Sequence, residues 1–599
     1  MKSVSVLWAL GDARTRAAVE AAHHKAVAET LVILESRVAV TRVGFGGVDR
    51  VGVRGVVAAA FDHPDTRCGD PNLHTHVVVA NRVQGPDRVW RTLDGQQLFA
   101  AAVALSETYD GLVADELTRR LPVAFGWRDR GPRRSAAFEV DGVDDQLLKL
   151  FSTRSRDIDA SLQGLLVDFH ATHGRGPSRV DTIRLRQTAT LASRPAKTPR
   201  AWSDLVVSWS QRARAATGRR PRDLLAAALD GAYTRPLRAR DIGPESREAM
   251  AGLAVVGVQA RRSTWNGWNL EAEVARLTKS WPMASAGDRA ELHGSLVTTA
   301  LASCEPLSAA DASPPDRWAA MAWRWTTTTI LDAENRLLAA ATEGVGPAVG
   351  ERLAARVAAA ATAPEGPPKS LTDRGINRLS ADQAAALVQV CSSGRAVQVL
   401  VGPAGSGKTT TLKAIKAVWN MDSVDTAATQ GVVGLAPSAA AAAELSTALR
   451  SRCETTAKWL HETVGPAGQQ RAQLIANLDR RLADTQSTGE STAPLQRAKY
   501  RLQSEQKRWQ LKPGQLLIVD EATLAGTLDL DHLTQQAAAA GAGVLLVGDH
   551  HQLTAVQAGG AFGLLARRTQ TAELTGLWRF TKRWEAQATR ALRHGDPSA

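Results

Sequence analysis

With 599 residues, 44% of them hydrophobic and 22% charged, the chain has material for several packed domains, which excludes wholesale disorder and collagen-like repetition. Lys and Arg outnumber Asp and Glu by 73 to 60, and the resulting net charge of +13 asks for a polyanionic partner without naming it. No run approaches the ~18 uninterrupted apolar residues of a membrane span. Cys68, Cys304, Cys391 and Cys453 form no CxxC pair, so membrane insertion, a disulfide framework and a thiolate zinc site are not expected, and a reducing cytoplasm is.

The N-terminal KSVSVLWAL reads as a strand entering a helix, and EAAHHKAVAETL as a helix with His23 and His24 on its surface. VAVTRVGFGGVDRVGVRGVVAAAFDH and LHTHVVVANRV place β-branched residues between glycines, as antiparallel strands do. Arg42, Arg50 and Arg54 on these strands are candidate phosphate contacts.

The segment FDHPDTRCGDPNLHTHVVV holds the first constellation. His74 and His76 are two apart on a strand and leave the same face, and a hairpin brings His63 to them. Three neutral imidazoles around a divalent ion (Mg²⁺, Mn²⁺ or Zn²⁺) leave positions open for a phosphate oxygen, which suits polarisation of a phosphodiester. A pair of hydrogen-bonded strand histidines is the plainer alternative, and Cys68 is a candidate fourth ligand. Tyr109, in LSETYDGLVADEL, reads as a packed helical aromatic.

Pro-rich breaks at Ala189 to Trp202 and at Val357 to Gly375 are expected linkers, and the Ala/Leu/Arg segments between them a helical connector. Beyond the second break VQVLV, VVGLA, QLLIVD and GVLLVGD alternate with helical patterns, the signature of a parallel α/β sheet. The stretch Gln469 to Lys512 reads as a helical insertion.

Gly402-Pro403-Ala404-Gly405-Ser406-Gly407-Lys408-Thr409 matches GxxxxGK[ST] between the strand VQVLV and a helix that continues with Thr410. The loop's backbone N–H groups suit the phosphates of ATP, Lys408 the β- and γ-phosphates, and the Thr409 hydroxyl Mg²⁺. Asp520 and Glu521 end the strand QLLIVD, where one acid can hold the magnesium shell and the other orient the attacking water; Asp549 and Gln552 end the next strand.

These segments resemble superfamily 1 DNA helicases whose first RecA-like domain carries a glutamine motif, here LSADQ with Gln383. The resemblance implies that Gln383 reads adenine, that Asp520 and Glu521 bind Mg²⁺ and activate water, that Asp549 and Gln552 couple the γ-phosphate to single-stranded DNA, and that Arg579 in LTGLWRF contacts the γ-phosphate from a second RecA-like domain. APSAAAAAEL and ETTAKWLHE resemble motifs that touch DNA.

The histidine segment, with KSVSVLWAL and RQTATLASRPAK, resembles the three-histidine relaxases of the HUH class that conjugative plasmids fuse to such helicases. The implied fold is multidomain α/β and α+β: an antiparallel-sheet relaxase over 1–202, a helical connector over 203–365, a first RecA-like P-loop NTPase domain over 366–570 and the start of a second from 571–599. The implied partners are single-stranded transfer-origin DNA and other relaxosome proteins.

In that family an N-terminal tyrosine attacks the scissile phosphate and an upstream aspartate assists. Of Tyr109, Tyr233 and Tyr500, none matches that position, so no nucleophile is assigned and the expectation is a relaxase-helicase shortened at both ends, its enzymatic turnover open. The alternatives are a nucleotide- and DNA-binding protein without turnover, or a non-functional gene fragment.

Overall fold

The computed structural model describes residues 1–131, 135–174, 176–177, 179–196, 198–232, 234–307, 321–426, 431–488, 491–551, 559–578, 584–585 and 588. The chain divides into two compact units, residues 1–258 with 265–325 and residues 259–264 with 326–599.

In the first unit the N-terminal segment is a helix, α1 (Lys2–Leu10), and not the expected strand. Every residue from Ser3 to Leu10 is buried, and an apolar run enclosed on all sides has no period by which a strand is told from a helix. After a turn capped by Asp12, which accepts from the Thr15 amide at 2.8 Å, comes α2 (Ala13–Ile33). β1 (Val40–Val43) pairs antiparallel with β2 (Asp49–Gly52), and β3 (Ala58–Asp65) with β4 (Pro71–Val79). The long helix α3 (Gly95–Arg120) lies against α2.

Among the described residues the strands of this unit pair two by two, in ladders such as β1 with β2 and β3 with β4. Helices take the space beside these ladders: Trp8 and Leu10 of α1, Val19 of α2, Leu112 and Leu117 of α3 and Trp209 of the helix Trp202–Thr217 form one core.

The connector expected over 203–365 is divided between the two units. Its helix Ala286–Ala302 is joined to α3 by an ion pair, Arg289 Nε to Asp115 Oδ2 at 2.7 Å and Nη2 to Oδ1 at 2.8 Å, with both side chains 1% exposed. The second linker is also shorter than expected. Val357, Ala358 and Ala361 are buried on the helix Glu351–Thr362, which stops where Pro364 forces Ala363 into an extended conformation.

The second unit is built on a six-stranded sheet whose paired strands are all parallel, in the order 453–455, 432–436, 516–519, 543–548, 397–401, 572–573. Helices cover both faces, so the strand Val397–Val401 is buried throughout, with Gln398 its one polar residue. Leu400, Ile518 and Leu545 face one core, and Val399, Val401, Leu517 and Val519 the other. The expected boundary at 571 falls inside this sheet, because Ala572 and Glu573 pair with Leu400 and Val401 as its sixth strand. Between the strands Cys453–Thr455 and Leu516–Val519 the insertion folds as two helices, Pro466–Thr488 and Ala493–Arg508, packed on one another.

Candidate functional site

The histidine cluster follows from the register of one ladder. His63 of β3 lies opposite His74 of β4, and His76 is two residues further on the same face. The ring centroids are 5.3 Å (His63 to His74), 4.8 Å (His63 to His76) and 5.0 Å (His74 to His76) apart. One nitrogen from each lies within 4.8 Å of the others, so the donor set can close on a single divalent ion. His74 donates from Nδ1 to the Asn72 carbonyl at 2.8 Å, an outer contact that turns Nε2 toward the cluster.

The loop between the two strands is fastened from a distance. Buried Asp70 accepts from the Thr153 amide at 2.8 Å, from the Thr153 hydroxyl at 3.0 Å and from Arg212 Nη2 at 2.7 Å. Trp209 Nε1 and Arg212 Nη1 donate to the Gly69 carbonyl at 2.8 and 3.2 Å. The sequence does not single out Asp70, since its partners are far along the chain. Cys68 is outside the cluster: its thiol donates to Asp157 at 3.8 Å, and burial pushes its pKa up.

One further expectation is corrected. His23 is buried and not a surface residue: its Nδ1 is 2.6 Å from the Tyr109 hydroxyl and its Nε2 2.7 Å from Thr75 Oγ1. Arg42 and Arg50 both turn to buried Asp94, at 3.2 and 2.8 Å. Tyr109 packs as expected, and burial pushes its phenol well above the ordinary range.

The second constellation lies at the carboxyl ends of the parallel strands. The loop after Val401 needs glycine where φ is positive, +87° at Gly405 and +82° at Gly407, and a Cβ on Gly407 would come 2.3 Å from Gln383 Nε2. Pro403 and Ala404 form its rim, Ser406 is buried with its hydroxyl unpartnered, and Thr409 and Thr410 follow Lys408 into the helix Lys408–Thr426. Lys408 Nζ donates to the Gly402 carbonyl at 2.7 Å and the Pro403 carbonyl at 3.3 Å, so it lies over the loop's own mouth.

Gln383, buried on the helix Ala381–Ser392, donates to the Ser406 carbonyl at 3.3 Å and accepts from the Ser380 amide at 3.1 Å. With Gly407, Thr410, Arg378, Thr362 and Trp578 it lines a cavity of about 690 Å³. Asp520 and Glu521 end the strand Leu516–Val519. Burial raises the pKa of Asp520; burial and then the neighbouring Asp520 raise that of Glu521; Lys408 opposes both rises. Glu521 takes φ +50°, a left-handed conformation that costs a non-glycine residue about 1–2 kcal/mol.

Asp549 is buried beyond the strand Gly543–Gly548. Ser438 and Thr455, in the two segments that resemble DNA-touching motifs, cap helices at the same edge. Gln552 and Arg579 lie outside the described residues.

One residue at this edge escaped the sequence reading. Asp382 Oδ2 accepts from the amides of Thr575 and Gly576 at 2.8 and 2.9 Å, and the Trp578 amide donates to the Gly405 carbonyl at 2.8 Å. Burial alone would raise the Asp382 pKa, but hydrogen bonds from Ser380, Gly576, Thr575 and Gln383 hold it at about 2. The aspartate ties the glutamine helix to the segment after the sixth strand.

Residues 1–216 match the family model of the TrwC relaxase, and residues 378–599 that of an AAA domain. The chain carries a TrwC relaxase domain followed by an AAA domain. The relaxase domain holds the histidine hairpin, and the AAA domain holds the P-loop and both strand-end acids.

The conjugal transfer protein TraA of Rhizobium radiobacter is 30% identical over 227 residues, 38% of this chain and 16% of that protein. The multifunctional conjugation protein TraI of Escherichia coli is 32% identical over 177 residues, 27% of this chain and 9% of that protein. The chain thus spans less than a fifth of the length of these curated relatives. Among solved structures, the conjugative relaxase TrwC in complex with oriT DNA is 29% identical, covering 36% of this chain and 70% of that one, with a TM-score of 0.29.

Proposed function

We propose that the chain is part of a conjugative relaxase-helicase. In this reading its relaxase domain holds single-stranded transfer-origin DNA at a divalent ion, and its AAA domain binds ATP with Mg²⁺ as the first RecA-like half of a DNA helicase. The observation that carries the reading is the convergence of His63, His74 and His76 on one ladder of a domain that matches relaxases.

A divalent ion on these imidazoles supplies Lewis-acid polarisation of a phosphate oxygen. The chain's own part is to keep three imidazole nitrogens aimed at one point: the Asn72 carbonyl fixes the His74 tautomer and Asp70 anchors the loop. At the other site the glycine turns give a phosphate cradle, Gln383 borders the base cavity, and Asp520 with Glu521 stand where Mg²⁺ and water are handled.

Nucleophilic attack is assigned to none of the three tyrosines. The Tyr109 hydroxyl is engaged with His23, Tyr500 is on the helical insertion, and Tyr233 lies outside the described residues. This favours, as a second reading, DNA and nucleotide binding by these residues without strand cleavage of their own.

The proposed location is the cytoplasm, with other relaxosome proteins as partners; no helix among the described residues is long and apolar enough to cross a membrane. The test is anisotropy of a labelled single-stranded oligonucleotide with and without Mn²⁺. Tighter binding with the ion is expected in the wild type and no ion effect in His76→Ala; an ion effect of equal size in both refutes the reading.

A further inference from the structure

The hairpin carries chemistry on its other face as well. Side chains alternate along a strand, so Asp62 and its register partner Thr75 lie on the side opposite the three histidines. Helix α2 brings two more imidazoles to that side. His24 Nε2 is 2.9 Å from Asp62 Oδ2, His23 Nε2 is 2.7 Å from Thr75 Oγ1, and the Thr75 hydroxyl donates to Asp62 Oδ1 at 2.5 Å. One nitrogen from each histidine and one carboxylate oxygen lie within 4.8 Å of one another.

We propose that His23, His24 and Asp62 form a second divalent-cation site of the zinc class, back to back with the three-histidine cluster across the β3–β4 ladder. Two imidazoles and a carboxylate are a donor set for a borderline ion with a coordination position left for water.

His23 has its outer partner in place. In the metal-free network Nδ1 accepts from the Tyr109 hydroxyl; with Nε2 on the ion the ring proton passes to Nδ1, which then donates to the Tyr109 oxygen across the same 2.6 Å contact and keeps the ring oriented. Thr75 is the group the ion displaces from Nε2, and its hydroxyl keeps Asp62 as a partner. His24 and Asp62 are about half exposed, 52% and 51% of their side chains, so the ion enters from solvent without opening the core. The same five side chains also make a closed hydrogen-bond network without metal, and the test separates the two.

Calorimetric titration of the chain with Zn²⁺ is expected to give two ions per chain. His24→Ala and His74→Ala should each leave one, and the double variant none. Tyr109→Phe should weaken one of the two sites by about 10–100-fold and leave the other unchanged. Asp62→Asn, which keeps a partner for Thr75, repeats the His24→Ala result without removing a side chain, and equal circular dichroism shows that the variants fold. A single ion lost in His74→Ala and kept in His24→Ala overturns the proposal, as does a stoichiometry of two that neither His24→Ala nor Asp62→Asn changes. A single ion lost in His24→Ala and kept in His74→Ala supports this site and refutes the three-histidine one.

Discussion

The histidine hairpin and the P-loop edge are made in opposite ways. His63, His74 and His76 meet through one ladder spanning a few residues, partly open to solvent, and their register is set by a local turn. The P-loop edge draws on residues from Gln383 to Trp578, brought together by the strand order of the six-stranded sheet. Local construction makes a site easy to read and leaves it dependent on a remote tether; global construction gives rigidity and hides the contacts that supply it.

The largest expected effect is at the global site. Lys408→Ala removes the charge that answers the phosphates, and nucleotide affinity should fall about 100-fold or more, measured with a fluorescent ATP analogue. Unchanged affinity would remove the P-loop assignment. Next, Asp70→Ala strands Arg212 and frees the loop between the ligand strands. The relaxase-domain transition in thermal denaturation should drop by about 2–3 kcal/mol, and divalent-ion affinity should fall with it. An effect on the AAA-domain transition instead would break the comparison.

Asn72→Ala leaves the Nδ1 bond to the backbone carbonyl in place, so its cost in ion affinity should be under about tenfold, whereas His74→Ala should abolish one ion. The smallest effect is one of pH. The folded Asp382 pKa of about 2 lies below its unfolded value near 3.8, so the unfolded state takes up its proton first as pH falls. Its contribution, about 1–2 kcal/mol after allowance for partial exposure, is full above about pH 4 and is lost toward pH 2. Asp382→Asn should flatten that window in urea melts, and an unchanged profile would detach Asp382 from the stability of this edge.

What the sequence showed follows the same division. The P-loop, the strand-end acids and the three histidines were visible because each is a short string whose spacing is itself the geometry. The helical insertion was visible because a long polar stretch with helical spacing has few other ways to fold. Asp382 was not visible, because its partners Thr575 and Gly576 are 193 and 194 residues away.

Arg289 and Asp115 were hidden for the same reason, and that pair is why an expected connector is packed as part of a domain. α1 misled because burial on every side erases the apolar period, and His23 because a helix with little amphipathic pattern does not announce which face is covered.

The two-helix insertion leaves the sheet after an edge strand and re-enters at a strand that is not its neighbour, with 432–436 lying between. Its root is held by Trp459 and Trp509, ring centroids 5.8 Å apart, with Arg452 stacked 4.6 Å from Trp509. The ladder below it is therefore complete without it. Such an arm can be lengthened or trimmed while the edge that carries the P-loop keeps its strand order, so it is the part of this domain in which change disturbs the sheet least.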